Sequence, residues 1–362
     1  MNNITNQLTY FLLLSFFATS LGYSQNEDLW TEESSSSLLL FQKNAKITQL
    51  KKEKIYRLDI DQLKNILKGS KSAKSTKKSI LEIPFPNKQG ELKNYTITEV
   101  STLAPELQEK YPNIKSYIGV SKDTYKTTIR FSLSNLGLHS MKLRENGNTE
   151  FIDPYTKDAL TYKVYDKSDI DFDNMNYECK VVDESMAIAK SQKNEMQKLS
   201  SNDGKSRLFR LALSCTGEYA EYHLADQGIP ASATETVKKE AVLSAMNISM
   251  TRINGVFEKE LALTMQLLAN NDDLIFLDPD TDGYTSDDDF KMLDEVQAKC
   301  DAIIGSSNYD MGHLFSTGFS GLAELSSPCT SKKAQGISGR TPAKGDSFDI
   351  DFVAHEMGHQ FG

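Results

Sequence analysis

The 362 residues are 39% hydrophobic and 25% charged, with a formal net charge of −9 at pH 7. That composition excludes a disordered or membrane-embedded chain, and its length holds two domains of ordinary size. The acidic balance argues against nucleic-acid binding, which needs a clustered basic face.

The chain opens on an apolar run, Leu8 to Gly22, with small residues at Gly22 and Ser24. It is too short and interrupted for a comfortable membrane span and reads as an export signal cleaved before Gln25. No Lys or Arg precedes the run, so a retained membrane anchor stands as the alternative. The expectation is residues 1–24 as signal peptide, a secreted, extracellular protein, and no stable membrane insertion after cleavage. The Lys-rich stretch Lys68 to Ser79 lacks apolar spacing and reads as a solvated loop rather than a nucleic-acid patch.

Residues 25–188 read as a β-rich domain. In "TYKTTIRFSLS" the residues Tyr125, Thr127, Ile129, Phe131 and Leu133 share one face, the period-two pattern of a half-buried strand. "GLHSMKL" and "ALTYKVY" follow, separated by turn-formers. His139, in one of these strands, reads as a surface or packing residue. Residues 189–206, polar and rich in Lys, Ser and Asn, form the expected linker.

From 207 to 362 the pattern alternates between β and α. "RLFRLALSC" reads as a strand, followed by a helix from about Thr234 with Val237, Ala241, Ala245, Ile248, Arg252 and Val256 on a stripe. Leu261, Leu263, Met265 and Leu267 alternate as a strand. A second helix begins near Asp289, with Phe290, Leu293, Val296, Cys300 and Ile303 on its stripe and Gly305 as its stop. "DMGHLFS" and "GLAEL" read as strands, and a last helix from about Asp349 turns Ile350, Val353, Met357 and Phe361 to the core. Helices crossing over strands in this order imply a mostly parallel sheet.

Between these elements, "DPDTDGYTSDDD" sets Asp278, Asp280, Asp282 and Asp289 at calcium-loop spacing, though Asp replaces the usual Glu at the twelfth position. An acidic turn capping the following helix accounts for the same residues. In an exported chain the cysteines are disulfide candidates, with Cys300–Cys329 the first choice and buried thiols the alternative. Cys179 is open to pairing with Cys215 or to occupying a metal's open position and holding the protein latent.

The last helix carries the chemistry, in "FDIDFVAHEMGHQFG". His355 and His359, four apart, project from one helix face and can reach a single zinc ion. Glu356 is then placed to act on the metal-bound water as general base. The motif HExxHxxG continues elsewhere to a third histidine after the glycine. Here the chain ends at Gly362, so the expectation is an N-terminal fragment of a longer enzyme that binds zinc weakly by itself. His313 reads as a structural strand histidine with a hydrogen-bonded ring, not as the third ligand.

The stretch from about Ser206 to Gly362 resembles the secreted bacterial reprolysin-like (adamalysin-type) metzincin peptidases. The resemblance rests on the zinc motif, on "YDMGHLFSTGFSGLAEL", and more loosely on "RLALSCTGEYAEYH" and "MTRINGVFEKELALTMQLL". It implies an α/β metzincin catalytic domain, truncated, after a β-rich propeptide. It also implies zinc as cofactor, a peptide or protein substrate, and "GLAEL" as an edge strand whose Gly321, Leu322 and Ala323 hold that substrate through backbone groups. A catalytically inactive binding module and a calcium-dependent adhesion module remain as rival readings.

Overall fold

A computed structural model describes residues 29–33, 54–69, 81–123, 127–144, 149–170, 203–318 and 320–362. The export signal, Cys179, Tyr125 and most of the expected linker lie outside the described residues. Among the described residues no helix is long and apolar enough to cross a membrane.

The N-terminal part is one antiparallel sheet of nine strands: β1 (Trp30–Glu33), β2 (Lys54–Leu58), β3 (Leu81–Pro86), β4 (Leu92–Glu99), β5 (Lys115–Ser121), β6 (Thr128–Ser134), β7 (Gly137–Leu143), β8 (Glu150–Pro154) and β9 (Thr161–Asp166), in the order β1-β2-β9-β8-β7-β6-β5-β4-β3. One face closes on an aromatic core, where Trp30 meets Phe85 and Tyr162 edge-on or tilted and Tyr117 stacks on Phe131 at 4.8 Å. Ile129, Phe131 and Leu133 of β6 face this core, as the period-two pattern requires.

The other face of β6 does not meet water. Arg130, Ser132 and Ser134 are also buried, because β5–β7 pack against a long helix, Glu235–Leu261. The polar alternation that suggests a solvated face marks instead a face that pairs through hydrogen bonds. Ser116 donates to Asn247 at 2.9 Å and lies 2.9 Å from the Thr251 hydroxyl, while Arg130 pairs with Glu258.

The C-terminal part is a five-stranded sheet in the order β11-β10-β12-β14-β13, made of β10 (Arg207–Cys215), β11 (Leu263–Leu267), β12 (Met311–Ser316), β13 (Ser320–Ala323) and β14 (Gly336–Gly339). All pairings are parallel except β13 with β14, which is antiparallel and puts β13 at the edge. β14, "GISG", carries no period-two signal in four residues, so sequence reading passes over it. Its Gly336 is required by packing, since a Cβ there would overlap the Gln360 amide and lie 2.6 Å from His313 Nδ1.

The helix Gly217–Gln227 is likewise absent from the sequence reading, although its caps are standard. Thr216 accepts from Tyr219 N–H, and Gly228 ends the helix in the left-handed region at φ 68°. The long helix starts as expected after the N-cap Thr234, but Val237 is 44% exposed and burial begins only at Ala241. In the helix Asp289–Lys299, Leu293, Val296 and Cys300 face the core. Phe290 and Ile303 do not. A π-helical stretch, Cys300–Ile304, closes this helix, and the widened turn rotates Ile304 inward in place of Ile303.

Two expectations are corrected. Cys300 and Cys329 form no disulfide: Cys300 is buried in the core under Gly312, whereas Cys329 sits exposed in the loop after β13, and both thiols are free, as is that of Cys215. The calcium loop is the second. Asp282 turns inward, accepting from Gly217 N–H at 2.7 Å and Tyr284 N–H at 2.8 Å, so it caps the helix Gly217–Gln227. Asp278 accepts from Asp280 N–H and from the Thr281 hydroxyl. Asp289 opens the following helix, whose N-cap is Asp288. With Asp278 and Asp282 committed to the turn and to the neighbouring helix, and no group of three or more metal-binding side chains among the described residues, calcium is not supported here and the loop reads as the acidic capping turn.

The two parts share one core. Leu103, Leu107, Tyr111 and Ile114, contributed by the N-terminal part, are at most 1% exposed within the cluster formed by Leu213, Val242, Met246, Met250, Met265 and Met357. Each such apolar burial is worth about 1.5–3 kcal/mol.

Candidate metal centre

The helix that carries the motif begins with a turn at Asp346–Phe348, runs through a π-helical stretch, Asp349–Ala354, and continues as the α-helix His355–Phe361. Val353 and Met357 are fully buried, and Ile350 and Phe361 pack against the same cluster. That seating turns the opposite side outward, and with it His355 and His359.

The two imidazoles meet at their Nε2 atoms, 3.0 Å apart, with ring centroids 4.6 Å apart. One ion at ~2.0–2.1 Å from each nitrogen spans that separation, so the pair fits zinc as two of its ligands. His355 is held below the usual histidine range, first by burial and then by the neighbouring His359, with Asp351 opposing. A lowered value favours the neutral imidazole that a metal requires. Among the described residues no third His, Cys, Asp or Glu joins them.

Glu356, next to His355 in the chain, is fully buried beneath the edge strand β13. A Cβ on Gly321 would overlap its carboxylate, so the glycine is what lets backbone and carboxylate approach. β13 therefore lies directly against the motif, with Leu322 paired to Ile337 and Ala323 to Gly336. The expected substrate-strand residues and the expected base are neighbours in space.

Gln360 anchors the helix and was not singled out by sequence reading. Its amide donates to Gly312 O at 2.9 Å, and its oxygen lies 2.7 Å from His313 Nδ1. His313 Nε2 lies 2.9 Å from Ser338 Oγ. Buried completely, His313 is pushed down to about 4 by loss of solvent, with Gln360 only partly opposing. It is the structural strand histidine that its position suggested. The one hint for Gln360 was its place four residues after Glu356, on the same buried side of the helix.

A second polar cluster grips the start of this helix. Arg252 pairs with Asp349 at 2.8 Å and with Asp153 of β8 at 2.5 Å. His139 of β7 lies 2.8 Å from Asp153, which gives that residue a polar packing role. An arginine in the middle of the long helix's apolar stripe was the signal for this cluster.

Residues 243–362, about a third of the chain, match the family described as metallo-peptidase family M12B, reprolysin-like. The match covers β11 to β14 and the motif helix, and it supports a reprolysin-like metallopeptidase unit there. A comparison with curated proteins gave no match.

Proposed function

We propose that the chain is a secreted zinc-dependent endopeptidase precursor, with residues 207–362 as the catalytic unit and the nine-stranded sheet as its propeptide. The observation that carries this reading is the convergence of His355 and His359 to 3.0 Å on a helix whose Glu356 lies under the edge strand. The family match over residues 243–362 supports it.

His355 and His359 would hold the metal. Zinc, when bound, lowers the pKa of water toward ~7 and polarises a carbonyl. Glu356 accepts the proton of the attacking water and delivers it to the leaving amine. An extended peptide would add to β13 as a further strand, using the backbone of Gly321, Leu322 and Ala323 on the side away from β14. The apolar run Leu8 to Gly22 supports export.

The zinc-loaded protein is expected to hydrolyse an unstructured protein such as casein. Chelation should abolish the activity and added zinc should restore it. Zinc uptake without hydrolysis would favour a binding module that retains the motif.

A further inference from the structure

The long helix Glu235–Leu261 is enclosed on both sides over most of its length. Its residues 241–247 and 249–255 are all buried. One side packs on the five-stranded sheet. The other packs on β5 to β7, close enough that a Cβ on Gly255 would come within 3.0 Å of Arg130 Cγ and 3.1 Å of Met141 Cε. A helix on the outside of an α/β sheet ordinarily keeps a solvated face. Here that face is filled by the N-terminal sheet.

The N-terminal part also completes the smaller sheet. Leu103 bridges Leu267 in parallel, Ala104 N–H donates to Leu267 O at 2.8 Å, and Leu267 N–H donates to Thr102 O at 2.8 Å. These contacts continue β11, the sheet edge opposite β13. Around them Leu103, Leu107, Tyr111 and Ile114 enter the C-terminal core. Met141, Phe151, Tyr165 and Ile170 form a second apolar contact against Val256 and Ile350. Lys167 reaches Asp346 at 3.0 Å and Asp351 at 2.6 Å, at the start of the motif helix.

From this we infer that residues 29–170 stay bound to the 203–362 unit when the chain between them is cut: cleavage leaves a non-covalent complex, in which the sheet proposed above as propeptide is retained on the catalytic unit. The partner is this chain's own sheet, and the affinity comes from the shared apolar cores. The ion pairs regain water on separation and contribute mainly to register. The contacts lie on β11, the long helix and the start of the motif helix, so the complex holds the helix bearing His355 and His359 while its other edge strand is β13. The inference stands on the interface alone and does not depend on peptidase activity.

The test uses the full chain with a sequence-specific protease site inserted in residues 189–202, cut to completion as judged on a denaturing gel. Native size-exclusion chromatography is then run in dilute buffer and at about 1 M salt, where charge attraction is screened to ~3 Å. Co-elution of both fragments at equal stoichiometry in both buffers is the expected result. Separation into two peaks in either buffer would overturn the inference.

Discussion

Replacing Glu356 with Gln is expected to slow peptide hydrolysis by about 10²–10⁴-fold, the range that a positioned proton acceptor supplies. The substitution preserves shape, so the side chain still fits beneath Gly321, where no extra atom is tolerated. An amide cannot take a proton from water at neutral pH, so the chemistry is lost while the site is not. His355 and His359 leave from the outer face of the helix. Zinc uptake by the variant should therefore equal that of the parent protein. Activity within tenfold of the parent would rule out Glu356 as the base.

Replacing Arg252 with Met should destabilise the protein by about 3–5 kcal/mol, the cost of removing one partner from a buried ion pair. Among the described residues Arg252, 2% exposed, is the cation paired with Asp349. Burial penalises both acids. The guanidinium, with His139 added on one side, outweighs that penalty at Asp153 and offsets it only in part at Asp349. Of the partners that remain, Asp349 keeps the Ser249 hydroxyl and Asp153 keeps His139 and the Tyr165 hydroxyl, so the loss falls mainly on Asp349. Met keeps the apolar contact with Phe151, over whose ring the guanidinium sits at 5.2 Å, which isolates the charge effect. Urea unfolding measures it. A loss below about 1 kcal/mol, the size of an exposed pair, would show that the cluster is not enclosed as described.

What was legible in the sequence is what local spacing encodes. His355 and His359 lie four apart on one helix, and their convergence needs no knowledge of the rest of the fold. The alternation of Leu263, Met265 and Leu267 gives β11 for the same reason. Long-range partners were not legible. Asp282 looks like a calcium ligand until Gly217 arrives against it from 65 residues away. Arg130 and Ser132, between the apolar residues of β6, look solvated until the long helix covers that face. β14 is too short to carry a period, and its place is set by Gln360 and His313 meeting over Gly336. Arg252 was the most informative exception. A charge within an apolar stripe requires a buried partner, yet the spacing does not say that Asp153 and Asp349 supply it.

The account depends most on the pairing of His355 with His359 around a metal. Zinc titration by calorimetry tests this on residues 25–362 and on the variants His355→Ala and His359→Ala. The account predicts one zinc per chain, bound more weakly than the nanomolar range because the described residues bring two ligands together there, and no measurable binding in either variant. Nanomolar binding by the parent, or binding that survives either substitution, would contradict it.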